Sequence, residues 1–352
     1  MTHSSEKKRE LWLDALRILS AFLVIVNHTN SDVFQSANPT QPVWWASIVW
    51  YVLCKAAVPV FVMISGACLL GRQDSLRKCF ARFGRIVGAL LLFSYLYFLH
   101  DAWVNYGLWP RMFQLDVFFH KVWTMQIADS FWYLYFYAGL MLALPFLQRM
   151  VLALKQRELA WLSGLCILFG MIWPMLSVLF PALALPKYLD LSLFSGMTGL
   201  LLLGWQIRRL PAHSHTRMAA ILFVLSVLAS VLCLRLQYQA DEKYWVFMDS
   251  RLQPSPFVAA SAVSLMILFR SWFSRPLSAR SQRVWMELGG CAFGVYLLQQ
   301  WVIAQTEFRL FAPLCQALPV FPALLVWELA VFLLCLMAAL VMRRIPLLKK
   351  LV

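Results

Sequence analysis

Apolar stretches about 20 residues long recur along this chain, and no other feature constrains its fold as strongly. Residues 11–29 read LWLDALRILSAFLVIVNHT. Nine more such stretches follow, at 44–70, 86–106, 131–148, 159–180, 190–207, 217–238, 255–271, 289–307 and 322–342. A helix of about 20 apolar residues crosses about 30 Å of hydrocarbon. Composition agrees: 62% of residues are hydrophobic and 13% charged, against about 45–50% and about 25% in a soluble domain. The expected fold is all-α: a polytopic integral membrane protein, about ten transmembrane helices in a single domain over 1–352. Pro59 lies inside the second stretch and should kink it, because proline removes an interior helix hydrogen bond.

The charges set a direction. The net charge is +15, and 23 of the 31 Lys and Arg fall on one side if the helices alternate from an inside N-terminus. They cluster at Lys7–Arg9 and Arg17, at 72–85, at 149–157, at 208–217, at 270–283 and in the tail at 343–350. Cytoplasmic loops collect basic residues, so both termini are expected in the cytoplasm: a short segment over 1–10 and a basic tail over 343–352. Most of the positive charge is then a topology signal, and no nucleic-acid partner is implied. The outer loops, longest near 107–130 and 239–254, are too short for a detached binding domain. Lys7, Lys8 and Arg9 precede an apolar run as in a secretory signal. No small-residue cleavage site follows, so the run reads as a retained helix. Eight cysteines are scattered without a CxxC pair and read as buried apolar thiols rather than metal ligands or disulfides.

An ionisable group within a membrane helix is costly and points to function. Arg17 and His28 are eleven residues apart. That is close to three helical turns, so they share a face about 16 Å apart along the axis. Asp14 shares the face and can pair with Arg17. One stripe thus carries a carboxylate and a guanidinium near the cytoplasm and an imidazole toward the far side. Arg17 is also placed to snorkel to the interface beside Asp14, and His28 to cap the outer end of its helix.

Four further motifs invite two readings each. Ser65-Gly66, in VPVFVMISGACLLGRQ, serves either close helix packing or a narrow ligand path with the hydroxyl facing it. Arg82 and Arg85 share a face where the third helix begins. They serve as inner-face anchors or as a clamp for a phosphorylated ligand, which arginine can grip with two bonds. Trp132, Tyr133, Tyr135 and Tyr137 form an aromatic belt or a tunnel wall. GCAFG at 290–294 is a G-x-x-x-G, most often a packing motif.

In this order the motifs resemble the acyltransferase-3 family of membrane acyltransferases. LDALRILSAFLVIVNHT is similar to its first-helix signature of Arg and His with ten residues between, here Arg17 and His28. VFVMISG resembles its run ending in Ser-Gly, ARFGR its Arg-x-x-Arg, and FWYLYFYAGLML its Trp-Phe/Tyr-Leu motif. AFGVYLLQ, at 292–299, resembles a late-helix motif that often ends in histidine. Here that position is Gln299, and Ser130 stands where many relatives carry another histidine. Glutamine hydrogen-bonds but does not shuttle protons near pH 7, so the resemblance leaves His28 as the main proton-transfer group. His100, His120, His213 and His215 match no family motif and read as loop or interface residues.

Within the family the likeness is to stand-alone O-acetyltransferases of bacterial surface glycans, such as the one acting on enterobacterial common antigen. The resemblance implies acetyl-CoA as donor, with no permanently bound cofactor, and a glycan or lipid-linked glycan as acceptor, in a bacterial inner membrane. His28, Arg17 and Asp14 would form the catalytic stripe. Ser65, Gly66, Arg82, Arg85, Trp132, Tyr133, Tyr135 and Gln299 would hold donor or acceptor. Two rivals remain: a transporter or flippase for a glycan or lipid precursor, and an acyltransferase with a lipid or small-molecule acceptor. A transporter often shows repeated halves, and no clear repeat is visible here.

Overall fold

A computed structural model describes residues 10–38, 40–106, 113–186, 189, 191, 193–240, 255–275 and 277–351. Among them every regular element is helical. Seven helical runs are long and apolar enough to cross a membrane: Leu11–Asn30, Pro42–Leu69, Leu76–Val104, Asp129–Ala153, Gln156–Leu179, Thr216–Leu236 and Val320–Met342. The other three expected spans are helical but fall short for different reasons. The sixth, expected from residue 190, is regular only over Gly196–Arg209, 14 residues or about 21 Å. The eighth, Pro256–Trp272, is apolar but has 17 residues. The ninth belongs to the 28-residue helix Ala279–Thr306, diluted by Gln299, Gln300 and Gln305 and opened by Arg280, Arg283 and Glu287. Lys7–Arg9 and the 239–254 loop lie mostly or wholly outside the described residues. Residues 115–123 of the expected 107–130 loop form a helix of their own.

The chain divides into two compact units, Met1–Cys68 with Lys155–Ala292, and Leu69–Leu154 with Phe293–Val352. The first unit contains α1 (Leu11–Ser36), α2 (Pro42–Cys54), α3 (Ala57–Leu69, up to Cys68) and α7 (Gln156–Ile167). It also holds α8 (Trp173–Leu179), α9 (Gly196–Arg209), α10 (Thr216–Ala240), α11 (Pro256–Trp272) and the opening turns of α12 (Ala279–Thr306). A π-helical turn, Leu168–Ile172, joins α7 to α8. Here α1 lies along α2, α7 along α9 and α10 along α11. The expected kink is a full break between α2 and α3 at Lys55-Ala56. Pro59 offers no N–H to the Lys55 carbonyl and its ring crowds it, and regular bonding resumes only with Val60 N–H donating to Ala56.

At Gly66 of α3 an added Cβ would sit 1.8 Å from the Leu201 carbonyl oxygen of α9. At Gly204 of α9 it would sit 2.0 Å from the Met63 carbonyl oxygen of α3. Two glycines, each facing the other helix, let the backbones touch. A buried aromatic cluster of Phe34, Trp44 and Tyr51 packs with Leu234 and Val258. Phe34 and Tyr51 stack at 5.0 Å.

The second unit contains α4 (Leu76–Tyr106), α5 (Leu115–Trp123), α6 (Trp132–Ala153) and the rest of α12. It ends with α13 (Ala312–Ala317), α14 (Val320–Met342) and α15 (Pro346–Lys349). Phe118 and Val122 of α5 pack on Phe98 of α4. The turn before α4 is tied by Asp74, which meets Lys78 at 2.7 Å and Arg82 at 2.6 Å and accepts from Gln148 of α6 at 3.2 Å. Burial alone would push the Asp74 carboxyl up, but the bonds from Lys78, Arg82 and Gln148 outweigh it. The carboxyl therefore sits well below the ordinary value. Higher on α4 the Tyr97 hydroxyl accepts from Trp301 N–H at 2.9 Å and donates to the Leu297 carbonyl at 3.1 Å. It thus stands between two groups of α12 that are four residues apart.

Candidate functional site

The polar stripe of α1 lies on one unbroken helix from Leu11 to Ser36. At one end Asp14 is fully buried, and Arg17 Nη1 meets its Oδ1 at 2.6 Å, with 28% of the Arg17 side chain exposed. Arg17 Nη2 also reaches Cys68 Sγ on α3 at 3.2 Å. Gly289 of α12 packs against Asp14, where a Cβ would lie 2.7 Å from Oδ1. The glycine that meets α1 is therefore Gly289, one residue ahead of the G-x-x-x-G.

Two more arginines join this end, and sequence reasoning counted both only as topology markers. Arg208 of α9 bonds Glu10 through Nε and Nη2 at 2.9 and 2.7 Å and donates to the Ala67 carbonyl at 2.6 Å. Arg270 of α11 donates to the Leu210 carbonyl, and its guanidinium lies 5.7 Å from the Trp12 ring. The contacts converge on residues 10–17 of α1 and on Ala67-Cys68 of α3. Three guanidiniums meet two carboxylates, leaving positive charge in excess, with Arg17 and Arg208 each partly exposed. No local spacing could have signalled this, because the partners are up to 198 positions apart.

About 16 Å further along α1 by helix rise, His28 is half-buried. Polar residues surround it in sequence. Asn30 donates through Nδ2 to the Ser47 carbonyl of α2 at 2.8 Å, and Cys54 Sγ lies 3.7 Å from Asn27 Oδ1. Asn30 Oδ1 and Ser47 Oγ are buried with no hydrogen-bond partner among the described residues. Buried groups of this kind are nearly always satisfied in native structures. Ser65 is buried, and its hydroxyl donates to the Phe61 carbonyl at 2.9 Å. Beside it the space a side chain would need at Gly66 is filled by the α9 backbone, so Gly66 brings helices together and opens no path at that point.

The remaining expected residues fall in the second unit. Arg82 is held by Asp74. Arg85 is exposed and has no partner among the described residues. Tyr133 is a core residue, stacked on Tyr137 at 5.6 Å and edge-on to Tyr296 at 5.8 Å. Trp132 packs edge-on to Tyr133 at 6.0 Å, and the Tyr135 hydroxyl donates to the Val122 carbonyl of α5. Gln299 is fully buried, and neither atom of its amide has a partner among the described residues. Its neighbour Gln300 accepts from Ser130 Oγ at 2.8 Å and Ser130 N–H at 3.1 Å, and Tyr296 donates to the Ser130 carbonyl. The two positions where histidines were expected thus lie on elements joined by hydrogen bonds. His213 and His215 lie in a turn as expected, but His100 sits within α4, 3.2 Å from Gln305 and edge-on to Trp301.

Among the described residues no three His, Cys, Asp or Glu side chains come together as a metal site. The model of a family described as an acyltransferase domain matches residues 10–343. No curated protein and no solved structure matches the chain.

Proposed function

The chain belongs to the acyltransferase-3 family, and on that premise we propose that it moves an acetyl group from cytoplasmic acetyl-CoA to a hydroxyl of a periplasmic or cell-surface glycan. It would do so in the inner membrane of a bacterium, with α9, α11 and α12 crossing alongside the seven runs named above and both termini in the cytoplasm. The bias of basic residues supports that orientation.

The single observation that carries the reading is the span of α1 from the arginine cluster to His28. Guanidiniums suit the phosphates of CoA, because each can give two parallel charge-assisted bonds. The acetylated end of an extended pantetheine arm has the reach to meet His28, about 16 Å along the helix. His28 would then take the proton of the acceptor hydroxyl as general base. The oxygen attacks the thioester carbonyl, the C–O bond forms, the C–S bond breaks, and the CoA thiolate leaves and takes up a proton. In the covalent variant His28 carries the acetyl group between donor and acceptor. Asp14 fixes the Arg17 guanidinium. Within the second unit, the buried Gln299 amide, which has no partner among the described residues, can offer a donor and an acceptor to a bound group.

The test is mass spectrometry of surface glycans from cells with and without the gene, read for one acetyl increment, together with His28→Ala. The increment should vanish with the gene and with His28→Ala while the variant stays folded in the membrane. Full acetylation by His28→Ala overturns the role of His28. Substrate uptake without any acetyl change favours a transporter.

A further inference from the structure

Within the second unit a cleft of about 350 Å3 opens between α4, the stretch from α5 to Ile127, and α12. It lies at the small end of the roughly 300–1,000 Å3 typical of ligand clefts. Trp301, His100, Asp101, Lys121, Gln126 and Gln300 line it. None of them belongs to the arginine cluster or to the surroundings of His28 described above.

The lining has a particular chemistry. Trp301 is 40% exposed although its backbone is fixed by the Tyr97 hydroxyl, and the His100 ring stands edge-on to it at 5.7 Å. A partly exposed indole thus lines the cleft on a fixed backbone. Around it lie groups that hydrogen-bond. Gln300 accepts from Ser130 N–H and Ser130 Oγ through Oε1. Its Nε2 therefore has no partner among the described residues and can donate. Gln305 Nε2 lies 3.2 Å from His100 Nε2, so the imidazole adds a further polar edge to the cleft. Asp101 supplies acceptors and Lys121 donors, 3.7 Å apart.

Net charge decides between ligand classes. The Lys121 ammonium and Asp101 carboxylate offset each other, and among the described residues no further Lys or Arg lines the cleft. A phosphate or an acidic headgroup would face the Asp101 carboxylate with only one cation in support. A neutral ring with an apolar face and hydroxyls round its edge fits better, since it can lay the face on Trp301 and exchange hydrogen bonds with the rim. We propose that this cleft binds one sugar ring of a neutral glycan. Its meaning as an acceptor subsite rests on the acetyltransferase reading, but its binding chemistry does not.

The experiment is saturation-transfer NMR on the full chain in detergent micelles, with N,N′-diacetylchitobiose and maltose as separate probes. The wild type should transfer saturation to the ring protons of at least one probe. Trp301→Ala and Gln126→Ala should each lower that transfer at least fivefold, and Trp301→Phe should keep most of it. Gln126 is exposed, so its replacement leaves the packing intact and covers the case in which Trp301→Ala fails to fold. No transfer to either probe, or equal transfer in wild type, Trp301→Ala and Gln126→Ala, overturns the proposal. His28→Ala separates the two readings, since it should lose acetylation and keep the transfer. Sugar binding by a wild type that acetylates nothing leaves the cleft standing and removes the enzyme.

Discussion

Arg17 Nη1 lies 2.6 Å from Asp14 Oδ1, with the carboxylate fully buried and the guanidinium partly exposed. The pair is therefore asymmetric. Removing Arg17 takes from a buried charge its guanidinium, which in buried pairs costs up to about 3–5 kcal/mol, whereas removing Asp14 leaves a guanidinium that already touches solvent. Arg17→Ala should lower the thermal midpoint in detergent by more than Asp14→Ala. The double variant should cost less than the sum of the two, because the stranded charge is gone. Equal single losses that simply add would contradict this pairing.

Arg208 should act on the donor. Losing one charge-assisted contact to a phosphate is worth about 1.5–3 kcal/mol, a tenfold change or more. Arg208→Ala is expected to raise the KM for acetyl-CoA about tenfold, with kcat nearly unchanged and a weaker dependence on salt. A purely structural role would instead lower expression and leave KM alone.

Gln299 offers a separation of stability from activity. A buried amide without partners costs about 1–3 kcal/mol, and an apolar replacement of similar shape can be neutral or stabilising. Gln299→Leu should raise the thermal midpoint or leave it unchanged, while acetyl transfer falls at least tenfold. Unchanged transfer would remove Gln299 from the site.

Glycine substitutions should divide by position. Gly66→Ala places a methyl 1.8 Å from the Leu201 carbonyl oxygen and should prevent stable insertion. Gly84→Ala meets nothing within 4 Å and should stabilise α4 by about 0.5–1 kcal/mol through helix propensity. Thermal midpoints of the two variants decide the matter.

Asp74 sets a pH dependence. Its carboxyl is held below the ordinary value of about 4 by Lys78, Arg82 and Gln148 against the opposing effect of burial. The stability it contributes is fully present above that ordinary value and fades as the pH falls below it. Asp74→Asn should be less stable than the wild type at pH 7, and the gap should narrow toward pH 3.

The residues of α1 were legible because helix spacing alone puts Asp14, Arg17 and His28 on one face. The break after Lys55 was legible because Pro59 carries it locally. Three features were not. Arg208 and Arg270 read as loop charges until the fold brought them to Glu10 and Trp12. His100 read as a loop or interface residue, and its neighbours Trp301 and Gln305, some 200 positions away, left no sign in the local sequence. Gln299 read as a substitute for a histidine, and nothing in the sequence signalled that its amide would be buried without a partner among the described residues.

The glycine contacts between α3 and α9 have a mechanical consequence. With Gly66 against Leu201 and Gly204 against Met63, any axial slip of one helix past the other would drive bulky side chains into a carbonyl. Shear is blocked at two points one turn from Arg208 and beside Ala67 and Cys68. If the proposed donor is held by Arg17 and Arg208, its anchorage is rigid before it arrives, and its capture needs no prior rearrangement of these helices. On that reading, little ordering entropy would oppose binding there.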